Sequence, residues 1–131
     1  MKRPLLLLAA LALTVCGHGM TREQAIQQAV AWRIQAAADR SFSFVLPTGS
    51  MRPTITDNAI LLLEHVNIQD LRVGDIAVYE SNNGTSVVHR ITAISRGGWL
   101  YFSGDHNRRS DGWVAPEQIR WRVVQILNFN P

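Results

Sequence analysis

Apolar residues along this chain fall into three textures, and each predicts a different element. Residues 5–16 (LLLLAALALTVC) form an unbroken apolar run behind Lys2-Arg3. Over residues 21–40 the apolar positions Ala25, Ile26, Ala29, Val30 and Ala37 return at three- and four-residue spacing among glutamines and arginines, which predicts one amphipathic helix. Thr21, with Glu23 and Gln24 close behind it, is the expected cap. The pattern fits a packing helix and a membrane-surface helix equally. From Ser41 onward the texture changes to short β-type runs over residues 59–66, 76–80, 85–95, 99–103 and 120–127. Turn chemistry separates them: Asn82-Asn83-Gly84, Gly97-Gly98, a polar loop over 104–112 and a helical turn over 116–119. The predicted architecture is mainly β, with an antiparallel β domain over 41–131 behind one N-terminal helix.

The first run is a targeting segment by its order of parts: a basic start, a short apolar stretch and small residues after it. It is shorter than the roughly 20 apolar residues a spanning helix needs. Cleavage after Gly17 would place Val15 and Gly17 where small residues are required. Lipid attachment at Cys16 and retention as a short tilted anchor are the alternatives. All three carry the remaining chain out of the cytoplasm. The single cysteine excludes an internal disulfide, so the exported domain must hold by packing.

Composition narrows the class further. At 131 residues, 47% hydrophobic and 18% charged, the chain is an ordinary globular sequence with room for one domain. Its formal charge of +3 comes from scattered arginines, with no basic run of the kind that marks a nucleic-acid tail. Arg108-Arg109 and the Arg120/Arg122 pair read as solvated surface, and no nucleic-acid partner is expected. Lys2 is the only lysine. No recurring histidine, cysteine or carboxylate spacing predicts a metal site, and no cofactor is expected.

Nucleophilic chemistry enters at Gly49-Ser50. A serine attacks a carbonyl only with a base to take its proton and donors to hold the oxyanion. A Gly-Ser turn exposes the hydroxyl and aims the Ser50 N–H at a bound carbonyl, and Thr48 is near enough to offer a second donor. Alone, such a pair is ordinary loop chemistry. His89 is the candidate base: strand alternation puts it on one face with Val87, Ile91 and Ala93, an apolar and partly dry surface. Imidazole ordinarily titrates near pH 6.5, so its neutral form is available without the desolvation a lysine base requires. By itself this pattern also describes a satisfied core histidine. Asp105 and Asp111 lie six apart on a glycine-led loop. Either can accept the His89 N–H or serve in an Asx-turn, and the spacing alone does not decide.

Phe44-Val45-Leu46-Pro47-Thr48-Gly49-Ser50-Met51-Arg52-Pro53-Thr54-Ile55 resembles the active-site segment of type I signal peptidases, in which Ser-Met-x-Pro-Thr opens with the nucleophile. Three more segments are similar in the same order: Arg72 to Tyr79 (RVGDIAVY), Val88-His89-Arg90-Ile91, and Gly104-Asp105-His106-Asn107 with Asp111. Together they span residues 44–125. His106 departs from the asparagine usual there. With no lysine in the domain, the bacterial Ser-Lys pair cannot form, and the chain resembles the endoplasmic-reticulum and archaeal members that place a histidine in this strand. The six-residue spacing of the two aspartates is also theirs.

The resemblance implies a Ser-His(-Asp) endopeptidase acting on exported precursor polypeptides, with Ser50 as nucleophile, His89 as base, and Thr48 and the Ser50 N–H at the oxyanion. Asp111 is the preferred partner of His89, with Asp105 as a loop-ordering or catalytic-site residue. Phe42, Phe44, Val45 and Leu46, with Met51 beside the serine, are the expected contacts to substrate or membrane, and small residues are expected before the scissile bond. The expected location is the extracytoplasmic face of a membrane. A catalytically silent relative that binds exported peptides is one alternative. A self-cleaving repressor-type protease is the other, although it ordinarily needs a lysine base and a DNA-binding domain. His18 and His65 have no companion motif.

Overall fold

Reciprocal capping starts the helix that opens the fold. In the computed structural model, which describes residues 19–131, Thr21 Oγ1 accepts the Gln24 N–H at 3.2 Å. The Gln24 side chain returns the bond to the Thr21 N–H at 2.9 Å. The targeting segment expected over 1–17, with Lys2, Cys16 and the neighbouring His18, lies outside the described residues. Helix α1 runs Arg22–Gln35 and buries Ala25 and Ala29, one turn apart, completely. Two such small side chains let the helix backbone approach a sheet closely.

The helix stops at Gln35, short of the expected residue 40. Ala36 leaves helical geometry, and Arg40 is taken into a strand opposite Glu64. Strand pairing here overrides the helical propensity of the alanine run. The helix is a packing helix. Ile60, Leu62 and Leu127 form its floor, with Phe42 and Trp32 packed alongside. The Trp32 indole donates to the Leu63 carbonyl at 3.0 Å.

Seven strands follow: β1 Arg40–Phe44, β2 Ala59–Glu64, β3 Ile76–Glu80, β4 Ser86–Ile94, β5 Leu100–Ser103, β6 Gly112–Val114 and β7 Ile119–Asn128. They form one sheet in the order β1-β2-β7-β3-β4-β5-β6, antiparallel throughout. Strand β7 is the longest and joins the two halves, pairing with β3 near its start and β2 along the rest. Register shifts at Leu62/Leu63, Val78/Tyr79 and Ile91/Ala93 add local twist and bend the sheet.

The apolar run of β2 is continuous because both of its faces are covered. Ile60 and Leu62 meet α1, while Ala59, Leu61 and Leu63 meet Ile76, Val78, Met51 and Ile55 on the other side. Further along the sheet, Ala77, Tyr79, Ile91, Leu100 and Phe102 form a second core with Leu71, Val114 and Ile119. Each fully buried leucine or phenylalanine there contributes about 1.5–3 kcal/mol. Arg120 and Arg122, read from sequence as solvated, pair across strands with Glu80 and Glu64. The segment carrying Ser50 meets the loop after β5 beside the cluster that holds Met51.

Candidate active site

Ser50 owes its position to the turn that begins with it. Met51 and Ile55 are buried at 4% and 3% exposure, and the Ile55 N–H donates to the Met51 carbonyl at 2.9 Å. This single turn is pinned into the core beside β2. Gly49, at φ +74°, supplies the left-handed step that swings the chain into it. Met51, expected at the substrate or membrane contact, is buried in this turn. Its side chain points inward, and its sulfur accepts the Asp105 N–H at 3.4 Å.

His89 enters from β4, opposite Ala77 of β3, and is 8% exposed. Its Nε2 lies 3.1 Å from Ser50 Oγ and its Nδ1 lies 2.5 Å from Asp111 Oδ2. An ionised carboxylate only accepts, so Nδ1 carries the proton and Nε2 is left to accept from the serine hydroxyl. Asp111 stands one residue before β6, where its N–H donates to the Phe102 carbonyl at 2.9 Å. The Tyr79 hydroxyl donates to the same Asp111 Oδ2 at 2.6 Å. Burial, and then this bond to a carboxylate, push the Tyr79 hydroxyl well above the ordinary tyrosine range, so it stays a donor.

Thr48 stands beside Ser50. Its hydroxyl donates to Ser50 Oγ at 3.3 Å, and its oxygen accepts the Ser50 N–H at 3.4 Å. Both bonds are long, so a substrate oxyanion with better geometry can displace them. Asp105 is turned elsewhere. The Arg90 guanidinium grips it through Nε and Nη2, each at 2.8 Å, and the Thr54 hydroxyl adds a bond at 2.7 Å. The bonds from Arg90, opposed by burial and helped by Thr54, hold this carboxyl below the usual carboxylate range. The structure thus brings Ser50, His89, Asp111 and Thr48 together, and gives Asp105 to Arg90.

Gly104 makes this convergence possible. A Cβ there would lie 2.8 Å from the Ser50 carbonyl and 2.9 Å from His89 Nε2. The loop after β5 runs through that gap and donates the His106 N–H to the Ser50 carbonyl at 2.9 Å. His106 itself is exposed and contributes backbone to the site. Of the expected apolar contacts, Phe44 and Leu46 are 46% and 76% exposed, whereas Phe42 packs beneath α1 and Val45 against the core.

Comparison with known proteins finds a distant similarity. Signal peptidase I W of Bacillus subtilis (strain 168) is 31% identical to the chain over 78 residues. The similarity is distant and partial: it takes in 56% of the chain, and the chain spans 41% of that relative's length. No family model matches the chain, and no solved structure matches it. Tyr79 is the site residue that sequence reasoning passed over. It lay inside a segment similar to the signal peptidases, but no spacing tied it to Asp111, 32 residues away.

Proposed function

We propose that this protein is a signal-peptidase-like serine endopeptidase that cleaves exported precursor polypeptides. The observation that carries the reading is the relay from Ser50 Oγ through His89 to Asp111, with contacts of 3.1 and 2.5 Å. In the proposed reaction His89 Nε2 takes the Ser50 proton as Oγ attacks the scissile carbonyl. Asp111 holds the imidazole in the tautomer that leaves Nε2 free, and stabilises the imidazolium once formed. The Ser50 N–H leaves Thr48 Oγ1, and the Thr48 hydroxyl leaves Ser50 Oγ, to donate to the oxyanion. His89 then returns its proton to the departing amine, the acyl-enzyme forms, and water activated by the same imidazole releases it.

The surface around Ser50 supports this reading of substrate and location. Strand β1 is the sheet edge, and the segment after it extends toward the nucleophile, which suits a precursor strand added alongside residues 44–48. Phe44 and Leu46 project from that segment, and each side chain buried in a lipid interface would contribute on the order of 1–2 kcal/mol. Such contact supports an enzyme working at the extracytoplasmic membrane face. Among the described residues, no helix is long and apolar enough to cross a membrane.

The test is cleavage of a panel of exported precursors by the full chain and by Ser50→Ala and His89→Ala. Each variant is expected to lose about 10⁴-fold or more in kcat/KM. Processing at the wild-type rate by either one sinks the protease reading. Binding of precursors with no cleavage by the wild type would identify a silent peptide-binding relative instead.

A further inference from the structure

We propose that Tyr79 is a positioning residue for the Ser50–His89 pair, acting through Asp111; the assignment rests on the protease reading above. Tyr79 sits on β3, one row along the sheet from His89, because Tyr79 faces Val87 and Ala77 faces His89. It is 6% exposed, and its ring lies 4.7 Å from that of Phe102 at 46°. The ring is thus wedged between strands, and its hydroxyl has little freedom of direction. A buried tyrosine hydroxyl needs a partner, and this one reaches Asp111 Oδ2 at 2.6 Å.

The choice of oxygen matters. Oδ2 is also the atom that accepts from His89 Nδ1 at 2.5 Å. Two rigid donors, one on β3 and one on β4, therefore converge on one carboxylate oxygen. With only His89 attached, the carboxylate could rotate about its side-chain torsions and carry the imidazole with it. The second donor fixes the oxygen in space and so fixes the line along which Nε2 faces Ser50 Oγ. An ordinary core tyrosine would need only some acceptor, and would act on stability wherever that acceptor lay.

Tyr79→Phe tests the difference, because it keeps the ring against Phe102 and removes only the hydroxyl. The expected result on a cleaved precursor is a fall of about tenfold in kcat with KM unchanged, the scale of losing one hydrogen bond to a charged group. Tyr101→Phe is the matched control. Its hydroxyl bonds Ser110 Oγ at 2.6 Å, one residue before Asp111; its removal is expected to leave kcat unchanged. In an Asp111→Asn background, Tyr79→Phe is expected to cost less than about twofold, since the relay it acts through is already broken. An equal loss in both backgrounds would overturn the proposal and leave Tyr79 a structural residue, even if the variant is also less stable.

A second readout needs no substrate. The His89 Nδ1–H proton, in a 2.5 Å contact with a carboxylate, should give a far-downfield proton resonance in the intact protein. Tyr79→Phe is expected to move or broaden it, and Tyr101→Phe to leave it in place. A resonance unchanged by Tyr79→Phe overturns the proposal. This arm reports on the Tyr79–Asp111–His89 link even if Ser50→Ala leaves processing untouched, so failure of the protease reading and failure of this inference are separable.

Discussion

Asp105 and Asp111 stand on one loop, each with a side chain 16% exposed, yet their surroundings assign them opposite work. Asp105 meets the permanent cation of Arg90 in a two-point grip, with Thr54 as a third donor. That arrangement is electrically complete and holds the loop against β4 and the Ser50 turn. Asp111 meets an imidazole and a phenol, neither of them a permanent cation. A carboxylate left in that condition can stabilise an imidazolium when one forms. Equal burial thus says little about function; the kind of donor decides whether a carboxylate is a clamp or an electrostatic partner.

Breaking the Asp111 side of the comparison should have the largest effect. Asp111→Asn is expected to lower kcat by about 10⁴-fold with the fold intact, because an amide can stabilise the wrong imidazole tautomer. Steady-state cleavage and circular dichroism together check this, and a loss below tenfold would mean His89 does not depend on that carboxylate. Gly104→Ala acts on the Ser50–His89 contact itself, since the added methyl group meets the Ser50 carbonyl and His89 Nε2. On the proposed mechanism, displacing Ser50 Oγ by even part of an ångström is expected to cost about 10²-fold in kcat/KM.

The Asp105 side should answer in stability more than in rate. Asp105→Asn is expected to destabilise by about 1–3 kcal/mol, the value of charge-assisted hydrogen bonds, measured by denaturant unfolding. Because Arg90 and Thr54 depress this carboxyl in the folded state, its contribution is complete above the ordinary carboxylate value of about 4. The contribution is lost as pH falls through the lower folded value. The stability gap between wild type and Asp105→Asn should therefore be flat from neutrality to about pH 5 and close in stronger acid. A gap that persists at the acid end would show that packing, and not charge, holds the loop. Thr54→Val should give the smallest change, about 0.5–1.5 kcal/mol, because Arg90 keeps its grip.

The strands from β2 to β5 and β7 were legible because their apolar runs end at strong turn signals such as Asn82-Asn83-Gly84 and Gly97-Gly98. Strand β1 overlaps the end of the expected helix at Arg40 and runs into the apolar segment before Ser50, and β6 is only three residues long. Both are strands through pairing with β2 and β5, which no local pattern records. In the site, Ser50, His89 and the two aspartates were readable as candidates from residue type and order. The inward turn of Met51 was not, since an apolar residue beside a nucleophile reads the same whether it faces core or solvent.

By itself, the sequence determined which chemistry was available. One serine in a Gly-Ser turn, one strand histidine, two aspartates six apart and no lysine in the domain leave few ways to build a nucleophile and its base. Tertiary structure alone decided the pairing. The antiparallel register of β3 and β4 sets Tyr79 near His89, and the folded loop gives Asp105 to Arg90 and Asp111 to the imidazole. Partners that lie 15 to 39 residues apart in the chain meet only when the sheet folds, because hydrogen bonds are satisfied over a few ångströms of space and not along the sequence.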